Sequence, residues 1–452
     1  MQSVEFPSRL LGLISAAAIA ASACAPGPAT AAPSAGPSGT CTAAADAIRI
    51  EAVSWWTTGP ESAGFNALMN QFNCDNPSYW VTNSAVGGGT GTAAQAKLQN
   101  RVLDGFPPDT FQIHMGHELL DTYVTPGFMA NLDDLYAANS WTTQFPQGLL
   151  DIVGAKDSSG VVHYFSVPLD VSRANLLWYN KTVLTAYNLK PPTTWDEFFA
   201  VADALKAKGI APLAMGDSEI WASGLILEDA LLAQLGAARF DGLWTGATDW
   251  SSADVTTALT TYRKILTYVN GDHSSLKWDE AADALIPDST GAQPKAAMTI
   301  MGDWVAREFD SKGFSDYGYV AAPGGTGIFQ ALADSFGLPA KAAQAEGARK
   351  FLSFIGSAQG QDIFNPYKGS IPANRQGGNP TVDEKQYSTY QKWSIEEWKD
   401  DIVVPSLEFG AAAAPGWKSA IETALTSFVA NPDVPSLQNS LVQACKDAAV
   451  CK

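Results

Sequence analysis

The feature that most narrows the fold is an alternation of short apolar strands, turns and amphipathic helices beginning at Ile48. Ile48-Arg49-Ile50-Glu51-Ala52-Val53 alternates apolar and polar residues, the period of a half-buried strand. Glu61 to Phe72 puts Phe65, Leu68, Met69 and Phe72 on one helical face. A strand over Tyr79–Asn83 runs into Gly87-Gly88-Gly89-Thr90-Gly91; a helix over Ala93–Leu103 and a strand over Thr110–His114 follow. That order predicts a parallel α/β sheet, and open sheets of this kind bind ligands beyond the carboxyl ends of their strands. Trp55, Trp56, Gln112 and His114 fall there.

The pattern continues along the chain. Tyr164–Leu169 and Asn175–Tyr179 read as strands, and Trp195–Lys208 as a helix capped by Thr194 with Glu197 three residues on. Residues 218–285 are mostly helical. Ala296–Met301, Tyr317–Ala321 and Gln330–Leu338 read as strands; 341–358, Trp417–Asn431 and Ser436–Ala448 read as helices. No internal repeat is visible. A chain of 452 residues, 46% hydrophobic, has material for about two or three domains. With 46 acidic against 28 basic residues, its net charge of −18 repels nucleic acid, so no nucleic-acid partner is expected.

The first residues read as an export signal. Leu10–Ala23 follows Arg9, is too short to span a bilayer and fits the apolar core of a signal peptide over 1–23. Ala21-Ser22-Ala23-Cys24 resembles a bacterial lipobox, which makes Cys24 the lipidation candidate; Ala29-Thr30-Ala31-Ala32 is a competing cleavage site. Residues 24–45 are almost all Ala, Pro, Ser, Gly and Thr, without charge, and read as a flexible tether. The expected location is the cell surface or periplasm, with the protein anchored to the membrane through lipid. Five cysteines is an odd number. Once Cys24 leaves, as anchor or with the signal, four remain, and three pairings are open. Cys41–Cys74 and Cys445–Cys451 are favoured because each closes a local loop.

Several chemistries lack their motifs. There is no G-x-S-x-G, and His117-Glu118 has no second His at zincin spacing. The glycine run lacks a following Gly-Lys-Ser/Thr and has Thr92 where a dinucleotide fingerprint needs Gly. His114 and His117 lack cysteine or clustered acidic company, so no metal and no cofactor are expected.

Four ordered segments carry a resemblance. They are Gly105-Phe106-Pro107-Pro108-Asp109-Thr110-Phe111-Gln112; Val167-Pro168 through Trp178-Tyr179-Asn180-Lys181, then Pro191-Pro192-Thr193-Thr194-Trp195-Asp196-Glu197-Phe198; Lys295-Ala296-Ala297-Met298 with Met301-Gly302-Asp303-Trp304; and Glu346 to Phe354 with Ser357-Ala358-Gln359-Gly360-Gln361. Together they resemble the extracellular solute-binding protein family 1, the sugar receptors of bacterial ABC importers. Ser54-Trp55-Trp56, Glu61, Gln112-Ile113-His114 and Lys368-Gly369-Ser370-Ile371-Pro372 are similar to its glucose-binding branch. That branch often has His where Ser172 stands, so the sugar's identity stays open.

The resemblance implies an α/β, two-lobed periplasmic-binding-protein fold with a three-crossing hinge and a ligand cleft between the lobes. Residues 46–170 and 335–404 form the N-terminal lobe in this reading, and 171–334 and 405–452 the C-terminal lobe. Crossings are expected near Asp170–Arg173, Leu332–Asp334 and Val404–Pro405. It further implies a binding protein, not an enzyme, which captures a neutral mono- or short oligosaccharide and delivers it to a membrane permease.

A pyranose has an apolar C–H face and a rim of hydroxyls, so its site needs an aromatic platform and charged or amide groups at the edge. Trp55 and Trp56 offer the platform; neighbours in extended chain point opposite ways, so one of them belongs to the core. Glu61, Gln112, His114, Asp334 and Lys368 are the polar candidates on one side; Trp221, Trp278, Asp303 and Trp304 are those on the other. A secreted glycoside hydrolase using Glu61 and Asp303 is the alternative.

Overall fold

The computed structural model describes residues 41–87, 92–288, 290, 293–381 and 385–451. The signal peptide, Cys24 and most of the tether lie outside the described residues. Strands in chain order are β1 (Ile48–Val53), β2 (Tyr79–Asn83), β3 (Thr110–His114), β4 (Gly154–Lys156), β5 (Val162–Tyr164), β6 (Ser166–Pro168), β7 (Ser172–Arg173), β8 (Leu176–Asn180), β9 (Ala211–Ala214), β10 (Ala296–Ile300), β11 (Tyr317–Ala321), β12 (Ile328–Leu332), β13 (Asp334–Gly337) and β14 (Ile402–Pro405).

Two sheets anchor two lobes. The first has the order β2-β1-β3-β13-β6, the second β11-β8-β10-β9. In the first, β1 runs parallel to β2 and β3 as expected, while β13 is antiparallel to β3 and β6. The expectation of parallel pairing fails there because β13 belongs to chain returning from the second lobe, against the direction of the outgoing strands. In the second sheet β8 is antiparallel to both neighbours, and only β9 and β10 run parallel.

Between the sheets, β12 pairs parallel with β14 and antiparallel with β7. These are the three crossings, hydrogen-bonded side by side. The span Gln330–Leu338, expected as one strand, is two: the chain leaves the hinge at Leu332, passes Ala333, and enters the first sheet at Asp334. One continuous stretch serves two sheets, and both of its strands are buried throughout.

Each lobe has its own core. Ile50, Trp56, Phe65, Leu68, Phe336, Phe351 and Phe364 pack together in the first lobe, and Phe198, Leu213, Leu231, Tyr262, Met298 and Phe428 in the second. Several helices escaped the sequence reading, the longest being Ala358–Lys368 and Thr389–Asp400. Pro366 argues against the first, but it sits in the last turn, where little helix follows to be broken. The second is fastened by a capping box between Ser388 and Gln391. It straddles the hinge: Tyr390 packs on Trp178 of the second sheet, and Trp398 on Phe329 of β12. Disulfides join Cys41 to Cys74 and Cys445 to Cys451, the favoured pairing. Among the described residues no helix is long and apolar enough to cross a membrane.

Candidate ligand-binding site

The carboxyl ends of β1 and β3 and the start of β13 converge at the first lobe's edge. Trp55 leaves β1 half-buried; its indole meets the His114 ring at 5.0 Å, tilted by 55°. Trp56 takes the opposite direction and is core, 1% exposed, against Phe65 and Phe364. Gln112 is buried and bonded at both ends of its amide: Oε1 accepts from the Trp55 backbone N–H at 3.1 Å, and Nε2 donates to Asp334 Oδ1 at 2.8 Å. It therefore ties Trp55 to Asp334.

Lys368 closes this side. Its ammonium lies between Asp170 Oδ2, at 2.5 Å, and Asp334 Oδ2, and 5.5 Å from the centre of the Trp56 ring. Asp170 also accepts the Asp334 backbone N–H at 2.9 Å, so the first and second crossings are tied together beneath Lys368. Burial works against the Asp334 charge, but Lys368 and His114 outweigh it and hold this carboxyl below its usual range. Burial pushes Asp170 up, Asp334 adding to the push and Lys368 opposing it. Glu61 stands within electrostatic reach of Lys368, Asp334 and His114; burial is the main cause that raises its pKa. Burial would lower the His114 pKa. The carboxylate of Glu118, 2.9 Å from Nδ1, and that of Asp334 overcome this and raise it to about 9, so the ring is a cation at neutral pH.

The second lobe contributes aromatic surface. Trp304 follows β10 and is ringed by Phe409 at 5.2 Å, Trp221 at 6.1 Å and Trp278 at 6.4 Å, all edge-on and all partly exposed. Its indole folds back over Gly302, where an added Cβ would lie 2.2 Å from the ring. Only glycine permits that pose. The two sides meet at the third crossing: the Gly410 carbonyl, next to Phe409, accepts the Glu118 N–H at 3.3 Å, while Glu118 holds His114.

Asp303 departs from expectation. It is 2% exposed, its Oδ2 accepts the Arg173 N–H at 3.0 Å, and its own N–H donates to the Arg173 carbonyl. The carboxylate fastens β7 to the turn after β10 instead of opening into the cleft, and burial raises its pKa to about 7. The structure thus gathers Trp55, Glu61, Gln112, His114, Asp334 and Lys368 on one side and Trp221, Trp278 and Trp304 on the other. Trp56 serves as packing and Asp303 as a hinge clamp. Asp170, Glu118 and Phe409 were missed as members of the site. Asp170 and Glu118 had only their charge to mark them among 46 acids. Phe409 follows a crossing strand in a segment without periodicity. Among the described residues no cluster of His, Cys, Asp and Glu is arranged to hold a metal ion.

The family described as bacterial extracellular solute-binding protein matches residues 56–362. An uncharacterized ABC transporter extracellular-binding protein of Pyrococcus horikoshii is 33% identical over 402 residues, 88% of this chain and 87% of that protein. A probable sugar-binding periplasmic protein of Rhizobium meliloti is 30% identical over 340 residues, covering 74% and 78%. Among solved structures, a bacterial solute receptor described as preferring β-D-galactopyranose superposes with a TM-score of 0.74 at 22% identity, over 89% of this chain and 98% of that one. Matched over more than half its length, with the two lobes and three-stranded hinge in place, the chain belongs to the bacterial extracellular solute-binding protein family.

Proposed function

We propose that the protein captures a neutral mono- or short oligosaccharide between its lobes and hands it to the permease of an ABC importer. The observation that carries this reading is the pairing of two unlike walls. Trp304 with Trp221, Trp278 and Phe409 offers apolar surface on the second lobe, and His114, Glu61, Asp334 and Lys368 gather charged donors and acceptors on the first. A sugar's C–H face and hydroxyl rim need that combination. Relatives named as probable sugar-binding periplasmic proteins point the same way. Relatives named as a glucose-binding and a xylose/arabinose-binding protein, each 24% identical, keep both hexoses and pentoses among the candidates.

In this reading Trp55 and Trp304 bracket the ring, and Glu61, His114, Asp334 and Lys368 bind its hydroxyls. Catalysis is no part of it. A glycosidase needs two carboxyl groups free to flank a glycosidic bond, whereas the Asp303 carboxylate is enclosed and bonded to Arg173. Calorimetric titration with glucose, galactose, xylose, mannose and short oligosaccharides tests the reading; no binding anywhere in the panel refutes it. Trp304→Ala is expected to weaken the bound sugar by about 2–4 kcal/mol through lost stacking and buried area. A loss below about 0.5 kcal/mol would remove Trp304 from the site.

We further propose that Cys24 carries lipid and that residues 24–45 tether the body to the membrane. Mass spectrometry of the mature protein checks this, the expected result being a diacylglyceryl-modified Cys24 at the N-terminus. An unmodified chain beginning after Ala32 would exclude the anchor.

A further inference from the structure

We propose that Arg307 is a positioning residue: it latches the second lobe onto the helix end that bears Lys368 and so slows release of the bound ligand. This deepens the sugar-receptor reading and rests on it. Arg307 lies in the first turn of the helix Val305–Ser311, just after Trp304, and Val305, Ala306 and Phe309 root that helix in the second lobe. Its guanidinium donates to the carbonyl oxygen of Pro366, in the last turn of Ala358–Lys368, a helix of the first lobe.

The chemistry of that helix end explains the contact. The last carbonyls of a helix lack partners within it and attract cations. Asn365 O is already taken by the Gly369 N–H and by Gln391 Nε2. The Pro366 carbonyl is served by the other lobe. Gly369, at φ +99°, ends the helix in the left-handed region, and a Cβ there would lie 2.8 Å from Cγ and Nε of Arg307. The glycine therefore both stops the helix and leaves a bed for the arginine's shaft. Lys368, the residue before it, is the ammonium held between Asp170 and Asp334.

Arg307 and Pro366 belong to different lobes, and neither lies on a hinge strand. Rotation about β7, β12 and β14 that parts the lobes also parts this pair. The same rotation carries Trp304, three residues ahead of Arg307, away from Lys368. Forming the bond thus coincides with bringing the aromatic wall to the charged one, and breaking it must precede escape of the ligand.

The test compares the mature protein with Arg307→Ala and Arg307→Lys by stopped-flow tryptophan fluorescence, thermal melting of the ligand-free protein and small-angle scattering. Arg307→Ala is expected to release sugar about tenfold faster with little change in association. Its ligand-free melting temperature should stay at the wild-type value, and its ligand-free radius of gyration should rise. Arg307→Lys should fall between, because it keeps the charge and loses the planar fork. Unchanged release overturns the latch, as does faster release matched by a fall in ligand-free melting temperature, which would mark a merely structural role. If the wild type binds nothing in the panel, the receptor reading fails separately. The latch then stands or falls on scattering, an unchanged radius of gyration in Arg307→Ala overturning it.

Discussion

Lys368→Met is expected to unfold the protein more readily by about 3–5 kcal/mol and to abolish sugar binding. The Lys368 side chain is only 12% exposed, and its two partners, Asp170 and Asp334, are more deeply buried still. Removing the ammonium leaves Asp170 without a counter-charge and Asp334 with only the more distant His114 ring, at 3.8 Å. Each must then stay ionised in a poor solvent or take up a proton, and both cost free energy. The loss should also loosen the first crossing from the second, since Asp170 holds the Asp334 backbone as well. Urea denaturation reads the stability term, and titration with the preferred sugar reads the binding term. The double variant Lys368→Met, Asp170→Asn should regain part of the stability and none of the binding. A single variant within about 1 kcal/mol of wild type would show that the ammonium does not hold this buried pair together.

Stability is expected to peak in mildly acidic solution and to fall from about pH 5 to pH 8. Glu228 is fully buried behind the hinge, and its carboxylate accepts from Ser406 Oγ at 2.9 Å, Gln330 Nε2 at 2.6 Å and the Leu407 N–H. Burial outweighs these bonds and raises its pKa to about 7; Asp303 is likewise raised to about 7. An acid with a raised pKa is protonated in the folded state and ionised in the unfolded one between the two values. Raising pH across that window therefore favours unfolding, at about 1.4 kcal/mol per pH unit and group. His114, raised to about 9, adds to the fall: the folded state keeps a proton that the unfolded state loses above its ordinary value. Below about pH 4 the slope reverses, because Asp334, Glu51 and Asp133 have lowered pKa values and lose their partners on protonation. Melting temperatures from pH 3.5 to 9 give the curve directly. A flat profile between pH 5 and 8 would mean that water reaches the hinge carboxylates. Glu228→Gln should flatten part of that slope without touching the sugar site.

The sequence carried the strands better than the site. β1, β2, β3 and β11 fall on the residues expected. The switch at Ala333 came only from the resemblance, which puts a crossing near Leu332–Asp334; the strand pattern over Gln330–Leu338 reads as one element, because nothing local records which sheet the next residue joins. At the site, Trp55 and Trp304 could be placed because they follow strand ends, where open sheets bind ligands. The acids could not be sorted. Asp303 and Asp334 lie beside similar strand ends, yet the Asp303 carboxylate is used by the Arg173 backbone while Asp334 shares Lys368. That difference arises from chain segments far apart in sequence, so no local pattern reports it. Trp55 and Trp56 show the opposite case: alternation alone required one of the pair to be core, and Trp56 is.

The place of β13 in the first sheet bears on how the chain is made. It lies between β3 and β6, so the sheet has a gap until Asp334–Gly337 is available. In chain order that strand comes only after the whole second sheet has been synthesised. Pairings between such distant segments form slowly, because a long loop must close before any contact rewards it. The first half of a nascent chain accordingly has no finished lobe to fold into. A family that works outside the cytoplasm gains from such an order, because a chain that folds late is easier to thread across a membrane.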